Sequence, residues 1–162
     1  MDSSKQIKII HLATDHAGFE HKEALRHWLE DSVYEVVDHG AKENHPLDDF
    51  PDFISLAAEA VSKDPEESCA FIFGGSGQGE AMMANRYPGV RASVYYGSNE
   101  EIVSLTRAHN NANVLSIGAR FVSVEDMKVL VQTWLSTPAL TDEKYQRRNE
   151  KIEEITRKIY SK

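Results

Sequence analysis

The chain has one cysteine, Cys69, so it cannot close an internal disulfide, and a reducing compartment is expected. Its apolar runs last only a few residues, too short to span a bilayer as a helix. The opening MDSSKQIKII lacks a basic flank leading into a long apolar stretch and a small-residue cleavage site. No secretory signal is therefore expected, and a cytoplasmic location is. Positive charge is in deficit: 18 Lys and Arg against 26 Asp and Glu give a formal net charge of −8. A nucleic-acid binder needs a positive face, so this balance argues against one. It leaves room for a small anionic substrate, which a local cluster of cations can hold. No repeat, low-complexity tract or interdomain linker is visible. The 162 residues are expected to form one α/β domain, 1–162, with 142–162 as a C-terminal helical arm.

What is present is an alternation of short β-branched runs with segments of helical period. Strands are predicted at Ile7–Leu12, Val33–Val37, Cys69–Phe73, Arg91–Tyr95 and Val114–Ile117. Helices are predicted at His21–Glu30, Phe53–Ser62, from the glycine-rich loop to about Asn85, from about Asn99 to Ala108, and at Val124–Leu135. The run CAFIF at 69–73 is continuously apolar, as in a strand buried on both faces. The pattern predicts a five-stranded parallel sheet covered on both sides, three layers in all. Ligands of such sheets sit beyond the carboxyl ends of the strands, which directs attention to ATDHAG, GGSGQGE, AHNNAN and GAR. The segment 142–160 differs. Tyr145, Ile152, Ile155 and Ile159 make a sparse stripe on a highly charged helix, suited to docking on its own domain or on a partner subunit, the partner being preferred.

GGSGQGE, Gly74 to Glu80, follows the buried strand and opens a helix. Glycines let backbone N–H groups converge on a ligand, and the helix start adds positive potential. The terminal Lys-Ser/Thr pair of a Walker loop is missing, and Glu80 stands where a dinucleotide fingerprint needs its last glycine. No acidic residue clearly closes the second strand to mark a ribose site. A nucleotide fold is therefore the weaker reading. A carboxylate beside an anion hole suits proton abstraction next to a carbonyl, where the developing enediolate needs a base and N–H donors. Two readings of Glu80 stand on spacing alone: the base, or an acid complementing the helix dipole.

The segments ATDHAGFEHK, FGGSGQGEAMMANRYPGVRA, RAHNNANVLSIGAR and YQRRNEKI, in order over nearly the whole chain, closely resemble the ribose-5-phosphate isomerase B family. That family also includes galactose-6-phosphate isomerase subunits. The resemblance implies a Rossmann-like sheet and a homodimer, possibly paired into a tetramer, with sites shared between subunits. It implies no metal and no cofactor, and a proton moved between C1 and C2 of a phosphorylated sugar. Many members carry a cysteine base at the end of the third strand. Here that position is Gly74, and Glu80 matches the glutamate of a second branch. By the same correspondence Asp15 and His16 bind substrate, with Asp15 accepting from sugar hydroxyls and His16 meeting the phosphate or assisting ring handling. Ser76, Gly77 and Gly79 supply oxyanion donors beside Gly74 and Gly75. His109 protonates the ring oxygen from the partner subunit, where Asn110 holds a hydroxyl. Arg120, Lys144 and Arg148 contact phosphate, the last two spaced i, i+4 on one helical face.

Three departures from the family pattern stand out. Lys144 replaces an arginine and loses planar two-pronged recognition, Tyr145 replaces a histidine, and Phe50 replaces a tyrosine that touches the sugar. Cys69 reads as a small buried side chain rather than a reactive thiol. His11, His21, His27, His39 and His45 show no metal-ligand spacing and read as structural or solvent-facing. The leading expectation is interconversion of ribose 5-phosphate and ribulose 5-phosphate. The alternatives are isomerisation of a six-carbon aldose phosphate, such as allose or galactose 6-phosphate, and a phosphosugar-binding protein without chemistry.

Overall fold

The apolar run at 69–73 lies at the centre of the molecule. In the computed structural model, which describes residues 6–161, Ser68–Gly74 forms strand β3, buried along all seven of its residues. β1 (Ile9–Thr14) pairs with β3 on one side and with β2 (Glu35–Asp38) on the other. β5 (Val114–Gly118) continues the sheet beyond β3, and β4 (Ala92–Tyr95) closes that edge. The order is β2-β1-β3-β5-β4, all parallel.

Side chains alternate across the strands, and each face collects its own helices. Cys69, Phe71 and Phe73 of β3 face a cluster that includes Leu25 of α1 (Phe19–Leu29), Val103 of α4 (Glu101–Asn110) and Trp134 of α5 (Val124–Ser136). Ala70 and Ile72 face the other side, against Ile54 and Val61 of α2 (Phe50–Lys63) and Ala84 of α3 (Gln78–Ala84). This is the three-layer arrangement expected from the pattern. Trp134 meets Phe71 edge-on at 5.2 Å between ring centroids and donates its indole N–H to Thr106 Oγ1 at 3.2 Å, so its polar atom is satisfied in the core. Cys69 is fully buried, and burial pushes its thiol up to about 12, which leaves it inert at neutral pH.

Most boundaries shift by one to three residues, and the shift at β2 changes an argument. β1 starts at Ile9 rather than Ile7, where it first pairs with Ser68 and Glu35. β2 runs from Glu35 to Asp38, while Val33 is 88% exposed in the preceding turn. An acid does therefore close the second strand, contrary to the expectation. It is engaged already: Asp38 Oδ2 accepts from Lys22 Nζ at 2.8 Å, and Lys22 is wholly buried, with Glu23 Oε1 at 2.6 Å as its second acceptor. A carboxylate neutralised by a buried ammonium is a tie between α1 and β2.

His11 and His39 resolve as structural. His11 Nδ1 lies 2.9 Å from His39 Nε2, and His11 is buried on β1. Burial lowers the His11 imidazole to about 4, with the His39 charge acting in the same direction and Asp64 opposing. A histidine held neutral in the fold takes up its proton in the unfolded chain first. Stability from this site is thus full above pH about 6.5 and is lost as pH falls toward about 4. Urea unfolding across that window should show a loss approaching roughly 3 kcal/mol from His11. His11→Asn should flatten this slope, and an unchanged slope would refute the assignment.

The last helix, α6 (Glu143–Tyr160), has no buried residue. Its inner face is polar: Tyr145 stacks on His109 at 4.3 Å, Asn149 Nδ2 donates to the His109 carbonyl at 3.2 Å, and Glu153 pairs with Arg91 at 2.9 Å. The expected single stripe is split. Tyr145 turns inward, while the adjacent Ile152, Ile155 and Ile159 remain 48, 57 and 64% exposed.

Candidate active site

The chain turns from β1 out to β2 and returns to β3 on the other side of β1. Loops leaving β1 and β3 therefore part in opposite directions and open a crevice at the carboxyl end of the sheet. A cavity of about 400 Å³ lies there. Asp15 and His16 reach it from the end of β1, Gly75 and Ser76 from the loop after β3, Gly79 and Glu80 from the first turn of α3, and Arg120 and Phe121 from the end of β5. Phe50 closes one wall from the start of α2.

The loop has little freedom. Gly77 holds φ +78, and its carbonyl accepts from Ser116 Oγ at 2.6 Å. A Cβ on Gly79 would stand 2.8 Å from Phe50 Cζ, so the bare backbone is what admits the ring. Arg120 lies across Gly75, its Cζ 3.1 Å from where a Cβ would be, and has no carboxylate partner among the described residues. A guanidinium at the cavity wall without a counter-charge favours an anionic ligand.

Gly74 shows the tightest fit. A Cβ built on it would overlap the carboxylate of Glu80, which fills the space beside the end of β3. Glu80 is 5% exposed yet lines the cavity. Burial raises its carboxyl above the ordinary range; its own backbone N–H opposes the shift, and the nearby Asp15 charge adds to it. A carboxylate raised in this way is a stronger base, as proton abstraction from carbon requires. Asp15 is also buried, with Oδ1 accepting the Ala17 N–H at 2.9 Å at the start of a short 3-10 turn.

The pattern of the ribose/galactose isomerase family matches residues 10–152. The chain belongs to that family. Among relatives of this ribose/galactose isomerase, ribose-5-phosphate isomerase B of Mycolicibacterium paratuberculosis is 36% identical over 148 residues, 91% of either chain. The protein of that name from Escherichia coli is 36% identical over 130 residues, 80% of this chain and 84% of the relative. The crystal structure of ribose-5-phosphate isomerase B from Mycoplasma genitalium with bound ribulose-5-phosphate superposes with a TM-score of 0.87 at 32% identity, covering 94% of this chain and 98% of that one. That from Clostridium thermocellum gives 0.84 at 34%, covering 93% and 99%.

The structure divides the candidate residues of this isomerase family member into two groups. Asp15, His16, Gly75, Ser76, Gly79, Glu80 and Arg120 meet around the cavity. Gly74 and Gly77 are buried beneath it and shape the loop. His109 and Asn110 are elsewhere. They end α4 and precede β5, so AHNNAN lies at the amino end of the sheet and not at a carboxyl strand end as expected. A helix returning from the end of β4 to the start of β5 must finish there. Seven residues of β3 set the two ends about 20 Å apart. Asn110 lines a separate cavity of about 310 Å³ with Arg91 and Ile152. Lys144 and Arg148 are exposed on α6 without carboxylate partners among the described residues, whereas Arg147 between them is tied to Glu143 at 3.0 Å.

Two contributors escaped the sequence reading. Phe121 lines the cavity at 62% exposure, and Asp48 binds His16 from the polar loop before α2. Neither carries a spacing signal. Asp15, His16 and Asp48 are also the one group among the described residues that brings metal-ligand atoms together, within 4.8 Å of one another. Asp48 already occupies Nδ1 of His16, which leaves that nitrogen no lone pair for a cation.

Proposed function

We propose that this protein interconverts ribose 5-phosphate and ribulose 5-phosphate, with Glu80 as the base. The observation that carries the reading is the Glu80 carboxylate, seated beside Gly74 inside a cavity that a glycine loop and an unpaired arginine share. In the open-chain aldose, Glu80 takes the proton from C2 as the C1 carbonyl becomes an enediolate. Backbone N–H groups around Ser76 and Gly79 meet the developing oxyanion. The C2 hydroxyl passes its proton to the C1 oxygen, Glu80 returns its proton to C1, and the carbonyl that forms at C2 gives the ketose. Asp15 and His16 hold the sugar, and Arg120 binds its phosphate.

The working unit is a homodimer in which each cavity takes His109 and Asn110 from the other subunit, with Lys144 and Arg148 completing the phosphate site. Three features support this: the distance between Glu80 and His109 along the sheet, the uncovered isoleucines of α6, and the two unpaired cations beside them. His109 then protonates the ring oxygen to open the sugar, a task suited to imidazole near neutral pH.

Ribose 5-phosphate incubated with the protein in deuterated water and EDTA tests the reading by NMR. Ribulose 5-phosphate carrying deuterium at C1 is the expected product, at a rate chelation does not change. Turnover of six-carbon aldose phosphates at a higher kcat/KM would move the substrate up one carbon. Binding without turnover or deuterium exchange would leave a phosphosugar-binding protein.

A further inference from the structure

Asp48 stands outside the cavity wall and meets it through one residue. Its Oδ1 accepts the backbone N–H of His16 at 3.0 Å and faces the ring Nδ1 of His16 at 2.7 Å. A carboxylate oxygen accepts from a ring N–H, so the bond demands a proton on Nδ1. The other nitrogen, Nε2, is then the one left to a ligand in the cavity that His16 lines. Because one oxygen receives both donors, main chain and ring of His16 are fixed together, and the ring cannot swing without giving up the bond. The second oxygen, Oδ2, is buried with no hydrogen-bond partner among the described residues, an unfavourable arrangement for fold stability alone. Around Asp48 the loop is otherwise open: residues 42–47 are exposed, and Leu47 is 84% accessible. The core therefore does little to hold this acid where it is.

We propose that Asp48 is a positioning residue for the isomerisation: it sets the tautomer and orientation of His16 so that Nε2 meets the sugar phosphate. This rests on the isomerase reading above. Since both His16 donors use a single oxygen, an asparagine carbonyl can replace it, with the amide nitrogen taking the place of the unpaired Oδ2.

The expected series follows from that geometry. Asp48→Ala should lower kcat/KM about 10–100-fold, the usual scale for losing a group that orients a functional histidine. Asp48→Asn should recover most of it. In a His16→Ala background, adding Asp48→Ala should cost almost nothing further, because the two act as one unit. Long-range ¹H–¹⁵N spectra should show the His16 ring of the wild type protonated at Nδ1, and that signature should disappear in Asp48→Ala but persist in Asp48→Asn. An undiminished kcat/KM in Asp48→Ala, or the same full loss when His16 is already alanine, overturns the proposal. So does a wild-type His16 ring protonated only at Nε2. A wild type that binds ribose 5-phosphate without converting it sinks the isomerase reading instead, and the tautomer series then decides whether Asp48 sets the ring.

Discussion

Glu80→Gln is expected to lower kcat by about 10²–10⁴-fold, the loss of a general base, while the protein stays folded. The stability side has a definite sign. Burial raises the Glu80 carboxyl in the fold, so its ionised form is less at home there than in the unfolded chain. The contribution is present below the unfolded value and is lost as pH rises through the folded one, so at neutral pH the charge opposes folding. Glutamine removes that charge at nearly constant shape, and the variant should melt no lower than the wild type. The acid limb of the wild-type kcat/KM profile should lie above the ordinary carboxylate range for the same reason. A second substitution reaches the base without touching it. Gly74→Ala puts a methyl group where the Glu80 carboxylate sits, so it should displace the base and lose activity on a comparable scale. Near-normal rates in either variant would move the base elsewhere.

That glycine shows how far a sequence can be read. The loop GGSGQGE announces an anion site by composition, and family correspondence pairs Gly74 with Glu80. Only coordinates show that the missing side chain at 74 is the room the carboxylate occupies. The central strand was legible because CAFIF is apolar at every position, a pattern burial on both faces requires. Contacts between residues distant in sequence were less so. Lys22 sits among charged residues on α1 and gives no sign of being wholly buried, because its partner Asp38 lies sixteen residues away at the end of β2. His11 and His39 are separated by 28 positions and carry no ligand pattern, so pairing across adjacent strands is what reveals them. On α6 the sequence shows an apolar stripe that includes Tyr145. The fold separates it from the isoleucines, because His109 offers a flat ring for it to stack upon. AHNNAN misled for a topological reason: a strand-end rule counts only the end at which the strand finishes, and these residues come before β5 begins.

Mixing inactive Glu80→Gln and His109→Ala proteins under conditions that exchange subunits should restore activity to roughly a quarter of the wild-type rate. The figure follows from symmetry. Random exchange places half of the chains' pairings in mixed dimers. Each mixed dimer has one cavity with Glu80 from the His109→Ala subunit and His109 from the Glu80→Gln subunit, which is an intact site. The other cavity collects both lesions. Each parent alone has none intact, so the gain is measured against a low background. Within one subunit, His109 ends α4 at the amino end of the sheet and Glu80 follows β3 at the carboxyl end, so a site confined to one chain cannot use both. If catalysis needs only one chain's residues, His109→Ala alone keeps its activity, and mixing yields no more than the average of the two parents. A third variant separates assembly from chemistry. Ile155→Asp charges the exposed apolar face of α6 and leaves Glu80 and His109 in place. If that face covers the partner, this variant should sediment as a monomer and lose turnover together with its dimer. A fully active monomer would break the link between the arm and the shared site.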